Sequence, residues 1–315
     1  MHMINATELR RPKQHHFTFR EALAASEKVG WRVEDIIGGD KRLDFTRPFM
    51  PETFARVEKL AFLTPDQRRV LNQIRGYAYL NIFGIVEEFI VPFVLDHVRQ
   101  RLRGDDYRMR AFLTFADEEA KHIHLFNTFR QEFERGFGSS SAVIGPSEEI
   151  GKAVLSHDPL AVALAILQIE WMTQRHYLDS VKDDQTLDPL FKSLLRHHWQ
   201  EEAQHAKLDT LMVDALAATY SQSEVDKAVG EYLEIGGMLD GGLRQQTEFD
   251  LEGLTRATGR ELTPSEHDQF IEVQHQANRW TYLGSGMTHP NFLATLELLG
   301  SGSRERIEQI APAFC

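Results

Sequence analysis

The sequence predicts an all-α protein in which a bundle of four long helices carries additional helices at both ends. Three observations lead there. Apolar residues recur at helical spacing along most of the chain, and no stretch alternates β-branched and polar residues between hairpin turns as a strand would. Helix-start signals recur through the middle of the chain, where Thr64-Pro65-Asp66-Gln67, Asp158-Pro159 and Asp188-Pro189 each set a capping side chain before a proline at the first helical position. The composition, 42% hydrophobic and 26% charged over 315 residues, is enough to bury a large core.

Residues 1–63 read as an N-terminal arm packing on the bundle. Within it Phe19 to Val29 forms a short helix stopped by Gly30, and Asp44 to Pro51, with two prolines and two phenylalanines, forms an extended connection. Residues 64–220 form the bundle. Its first helix starts at the Thr64–Gln67 capping box and runs to Gly104, and its second spans Asp106 to Gly136. A loop through Pro146 and a short helix from Ser147 follow, and the Asp-Pro pairs open the third and fourth helices. Residues 221–315 read as covering helices within the same single domain: Ser223 to Gln246, Pro264 to Tyr282, a break at Gly284-Ser285-Gly286, and Pro290 to Leu299 started by His289.

The net charge of -12 argues against nucleic acid or an anionic membrane as a partner, since both repel an acidic surface. The longest apolar run, Leu160 to Ile169, is far short of the roughly 20 residues that span a bilayer. Cys315 is the lone cysteine, so no internal disulfide forms, and the start of the chain has no basic-then-apolar signal. A cytoplasmic protein is the expectation. A homodimer follows only from how common such dimers are.

Each of the four long helices offers a carboxylate, and two add a histidine one turn on. The second reads Asp117-Glu118-Glu119-Ala120-Lys121-His122, and the fourth His198-Trp199-Gln200-Glu201-Glu202-Ala203-Gln204-His205. Glu119 with His122, and Glu202 with His205, are three apart and project from one face. The first helix holds Glu87-Glu88, and the third a single Glu170 at the end of an almost wholly apolar run. A lone Glu-x-x-His is common on solvated faces. Two copies, with a buried-looking Glu170 on the helix between them, are much harder to explain that way. A bare carboxylate in apolar surroundings costs several kcal/mol without a partner, and no Lys or Arg shares its face, Arg175 and His176 being five and six residues on.

Glu, Glu-x-x-His, Glu, Glu-x-x-His is the ligand set of di-iron and di-manganese carboxylate bundles, the ferritin-like class. Carboxylates neutralise two divalent ions and bridge them at about 3.5–4 Å. Imidazole suits iron, though the set accepts manganese as well. Of the adjacent pairs, the apolar stripe Leu80, Phe83, Ile90, Val94 favours Glu87 over Glu88, and the histidine at i+3 favours Glu119 over Glu118 and Glu202 over Glu201. His198 shares the face of Glu202 and His205, so on spacing alone it is either a further ligand or a capped histidine, as its neighbour His197 reads. Asp96, His97, His124, Glu148 and Glu149 read as surface or capping residues, and Trp31, Phe45 and Phe49 as packing side chains.

Residues 70–210 resemble the p-aminobenzoate N-oxygenase family, di-iron enzymes that oxidise arylamines. The resemblance rests on His198-x-x-x-Glu202-x-x-His205, on Glu119-x-x-His122, and on Tyr79 eight residues before Glu87. It implies that Glu87, Glu119, His122, Glu170, His198, Glu202 and His205 bind two irons in a ribonucleotide-reductase-like four-helix bundle, with Tyr79 near the site. It further implies dioxygen, a small organic substrate and an electron-donating reductase or ferredoxin as partners, and oxidation of that substrate, by N-oxygenation of an amine or by C–H hydroxylation. Iron oxidation or storage is the rival reading, which the extra helices fit poorly. A radical-generating subunit carries a tyrosine four residues after its first ligand histidine, where this chain has Phe126. A metal-free scaffold leaves the buried carboxylates unexplained.

Overall fold

In a computed structural model that describes residues 16–99, 105–300 and 302–315, the chain is helical throughout, with no strand among those residues. The arm carries α1 (Phe19–Val29), α2 (Val33–Ile36) and α3 (Glu52–Ala55). The bundle is α4 (Pro65–Arg99), α5 (Asp106–Phe137), α7 (Pro159–His176) and α8 (Pro189–Ala217), with the short α6 (Ser147–Leu155) between its halves. Then come α9 (Gln222–Thr258), α10 (Pro264–Arg279), α11 (Ser285–Met287), α12 (Pro290–Leu299) and α13 (Ser303–Ile310). α4 pairs with α5 and α7 with α8, and the two pairs meet most closely where α5 faces α8. α9 lies across α4 and α7, and α1 packs against α5 and α8.

The start signals act as their chemistry requires. Thr64 and Gln67 exchange hydrogen bonds at the head of α4, 3.0 and 3.3 Å long. Asp158 accepts from Leu160 N and Asp188 from Phe191 N, each beside a proline that has no N–H to satisfy. Asp188 also accepts from Asp44 N at 3.0 Å, so the cap of α8 fastens the arm. The extended connection is pinned by Asn72, whose Oδ1 accepts from Phe49 N and Met50 N while its Nδ2 donates to Met50 O. Phe49 is fully buried and stacks on Phe191 with ring centroids 5.1 Å apart. Its Cβ comes so close to Gly76 that a side chain there would sit 2.9 Å away, so α4 carries a glycine at that crossing.

α4 is long and apolar enough to cross a membrane by composition, but its apolar stretch is mostly buried within the fold. The expected extension of α4 to Gly104 falls on residues 100–104, outside those described. Three expectations need correction. α9 reaches Thr258 rather than Gln246, because its buried face continues through polar residues. There Gln246 bonds Ile144 N and Asp250, and Thr247 bonds Leu243 O and Asn278. Gly284-Ser285-Gly286 is no break: α10 passes through a π-type turn, Trp280–Gly284, into α11. The glycines serve close approach, since a Cβ on Gly286 would lie 2.6 Å from Gln168 O and one on Gly284 would meet Phe314 O. His97 is not a surface residue but is buried against the Phe112 ring and Arg108. Asp96, His124, Glu148 and Glu149 are exposed as expected, and His289 caps α12 through Nδ1.

Phe49 anchors the arm through stacking and burial together. Phe49→Ala is expected to lower the unfolding free energy by about 3–5 kcal/mol, measured by urea denaturation followed by circular dichroism.

Candidate metal centre

The four bundle helices bring all seven sequence-derived candidates into the core, where each is at most 2% exposed. Two groups of donor atoms converge, Glu87, His122, His198 and Glu202 in one, and Glu119, His122, Glu202 and His205 in the other. His122 and Glu202 belong to both. Glu170 falls outside both groups and pairs with Glu202 through its carboxyl, as Glu87 pairs with Glu119. Glu88 is exposed on α4. The apolar stripe therefore selects the inward residue of that pair.

Short distances without hydrogen-bond geometry mark the centre. His205 Nδ1 lies 3.0 Å from Glu119 Oε1 and 3.4 Å from Glu202 Oε2, yet neither it nor Glu119 Oε1 makes a hydrogen bond. Glu87 Oε2, Glu170 Oε2 and Glu202 Oε1 are also buried and unbonded. Buried polar atoms without a partner each cost about 1–3 kcal/mol. Lone pairs that converge without bonding one another are what a cation would satisfy. The donor set, carboxylates and imidazoles only, fits a pair of hard-to-borderline divalent ions. Arg175 offers Glu170 no salt bridge: its guanidinium donates to Ser285 O and to Thr288.

Glu118 and Glu201 proved to be more than the losing members of adjacent pairs. Both are buried. Glu201 Oε2 lies 3.0 Å from His122 Nε2, and Glu118 Oε2 lies 2.8 Å from His205 Nε2. Each Glu-Glu-x-x-His segment thus directs one carboxylate to the centre and uses the preceding one to hold the other segment's imidazole. Such a carboxylate behind a histidine fixes ring orientation and raises basicity. His198 differs. Its Nε2 faces Glu87 Oε1 and Glu202 Oε1, both at 3.0 Å, while its Nδ1 has no partner. Phe83 and Phe126 hold its ring edge-on, at 5.3 and 5.0 Å.

The arm also reaches the site. Trp31 stacks at 5.9 Å on His122 and carries Lys121 Nζ over its own ring, while Ser26 donates to Glu118. Nothing in the sequence pattern ties residues so distant to the bundle. Asp209 was legible but missed. It is one turn beyond His205 on the face of Glu202, fully buried, and neither oxygen is hydrogen-bonded. Tyr79 is buried against Phe83 at 4.3 Å, and burial, with Tyr282, Glu202 and Glu87 nearby, pushes its hydroxyl pKa well up.

Burial and neighbouring charge act against each other across the cluster. Burial, then neighbouring carboxylates, push Glu87 and Glu170 well above the carboxylate range. Burial also pushes Glu119 and Glu202 up, but the nearby imidazoles and hydrogen bonds more than reverse it, bringing Glu119 to about 2 and Glu202 well below its ordinary value. Burial pulls His122 and His205 down, and the surrounding carboxylates outweigh it, so both are raised well above the ordinary histidine range. Burial leaves His198 lowered.

Raised pKa values mean protons compete with metal, and that competition weakens as pH rises. Iron(II) affinity is expected to climb with pH and binding to release protons, measured by titration in weakly buffered solution. Glu118→Gln and Glu201→Gln are each expected to weaken metal binding about 10–100-fold while leaving the helical content unchanged, measured by metal titration and circular dichroism.

No curated protein matches the sequence. Among solved structures, an R2-like ligand-binding oxidase variant with an anaerobically reconstituted Mn/Fe cofactor is 14% identical, with a TM-score of 0.45 over 85% of this chain and 93% of that one. Another variant, with an aerobically reconstituted Fe/Fe cofactor, is 15% identical, with a TM-score of 0.44 over 84% and 92%. The family model described as P-aminobenzoate N-oxygenase AurF matches residues 17–228, more than half of the chain and all of the candidate centre, and the protein belongs to that family.

Proposed function

We propose that the protein is a dinuclear iron oxygenase that uses dioxygen to oxidise a small organic substrate, with N-oxygenation of an amine as its reaction. The observation that carries this reading is the convergence of buried carboxylate and imidazole atoms from α4, α5 and α8 on one locus, several of them unbonded, with Glu170 of α7 paired to Glu202 beside them. Membership of the N-oxygenase family supports the reaction type. In this reading Glu87, Glu119, His122, Glu170, His198, Glu202 and His205 hold the two ions, which supply the redox chemistry for dioxygen.

The chain's own contribution is placement and exclusion. Glu118 and Glu201 keep His205 and His122 aimed inward, and Phe83, Phe115 and Phe126 pack against the imidazoles and shut out water. Phe126 occupies the position at which a radical-generating relative would need a phenol, and a phenyl ring holds no transferable hydrogen. Turnover needs reducing equivalents, so an electron-donating protein belongs to the proposal, as do a cytoplasmic setting and a homodimer.

The test is metal content and dioxygen reactivity. The protein loaded with iron(II) without air is expected to hold two irons per chain and to consume dioxygen with a transient visible absorption. Glu170→Ala is expected to lower bound iron. A protein that refuses iron, or a Glu170→Ala variant that binds it unchanged, would overturn the assignment.

A further inference from the structure

A cavity of about 250 Å³ opens between α4, α6, α7 and α9, and no charged side chain among the described residues lines it. Ile82 and Val86 of α4, Ala165 and Ile169 of α7, and Ile235 and Leu239 of α9 supply most of its wall. Val86 and Ile169 directly precede Glu87 and Glu170 in sequence. The cavity therefore lies beside the same helical turns that carry two candidate ligands, on the adjoining faces. Phe83 and Ile166, one turn before each carboxylate and fully buried, fall between the two faces by helical phase. Met238 and Gln245 are exposed on the α9 side of the cavity and mark its mouth.

The polar groups in the wall are few and already engaged. Tyr232 donates to Gln168 Oε1 at 2.9 Å, and Gln168 Nε2 donates to Tyr282 O at 2.9 Å. Gly236 and Gly242 widen the cavity from α9. Both are helical, and neither is forced by a contact, because an added Cβ would meet Met287 at 3.6 Å and Leu283 at 4.0 Å from Gly236, or Ile144 at 3.7 Å from Gly242, all ordinary contact distances. A glycine inside a helix costs about 1 kcal/mol relative to alanine. What these two provide is space.

The geometry points to this cavity as the binding site for an uncharged, largely hydrocarbon molecule carrying at most one polar group. A dry cavity of about 150 Å³ accommodates benzene, so this one has room for a substituted ring. A carboxylate brought into it would lose its hydration with no cation to replace it. The namesake substrate of the family, an aminobenzoate, is an anion and is disfavoured on that ground. A neutral arylamine with an alkyl substituent has the required chemistry. That such a ligand is the substrate rests on the oxygenase reading. The preference of the cavity for it does not.

Calorimetric binding of p-butylaniline and p-aminobenzoate to the full-length protein near neutral pH, with its metal content measured, tests this. The butylaniline is expected to bind saturably, and at least about tenfold more tightly than the aminobenzoate. Gly242→Leu and Ala165→Phe, which fill the cavity from opposite walls, are each expected to weaken butylaniline binding about tenfold or more, with circular dichroism and metal content unchanged. Equal or tighter binding of the aminobenzoate to the wild type overturns the proposal without reference to any variant. So does wild-type binding of butylaniline by a folded Gly242→Leu protein. Should the protein take up no iron and yet discriminate as described, the oxygenase reading falls and the cavity assignment stands.

Discussion

Everything in this structure is arranged around the burial of four carboxylates and three imidazoles in an apolar bundle. Left as bare charges, these groups would carry a desolvation penalty of several kcal/mol each, more than the whole stability margin of an ordinary domain. The chain first meets that cost internally. Nearby imidazoles hold Glu119 and Glu202 low and are themselves raised at His122 and His205, while burial and neighbouring carboxylates raise Glu87 and Glu170. The arrangement is not satisfied, since several of the candidate donor atoms still lack hydrogen bonds. Contacts within the cluster do not give its lone pairs the common target that a pair of cations would.

The doubled Glu-Glu-x-x-His segment does two jobs because of helical geometry. Residues three apart share a face, so Glu119 with His122 and Glu202 with His205 point to one locus. The preceding residue is rotated by about 100°, which aims Glu118 and Glu201 sideways at the neighbouring helix. With α5 and α8 in close contact, that direction leads each carboxylate to the other helix's imidazole. Positioning of the centre is therefore reciprocal. Either segment alone would leave one histidine free to turn, which explains why isolated Glu-x-x-His matches on helices carry so little meaning.

How much was legible follows from the range of each interaction. The bundle, its caps and the inward residue of Glu87-Glu88 depend on local spacing and were readable. The choice between Glu118 and Glu119, or Glu201 and Glu202, was posed as ligand against bystander, and spacing does not reveal a bystander's partner on another helix. Asp209 continues the periodicity of Glu202 and His205 and could have been found by extending the face one turn. Trp31 and Ser26 could not, since only the tertiary path of the arm brings them to His122 and Glu118. Gly284 and Gly286 were misread because a glycine placed for close approach looks, in sequence, like one placed to end a helix. The C-terminal part of α9 was lost for the converse reason: a buried face made of Gln246, Thr247 and Asp250 does not look apolar.

Those two misreadings concern the part of the chain that distinguishes this protein from a minimal bundle. Here α9 spans α4 and α7, and α11 is drawn down onto Gln168 by Gly286. Gln168 then joins Tyr232 of α9 to the backbone at Tyr282, so one buried amide ties the covering helices to the turn before Glu170. The covering layer is thus fixed by hydrogen bonds at one edge and left open by Gly236 and Gly242 beside it. A layer serving only to seal the bundle would have packed side chains at those two positions, as it does at Leu243 and Leu254. The space they leave lies beside the helical turns that carry Glu87 and Glu170, so the C-terminal third shapes the surroundings of the candidate centre as well as covering the bundle.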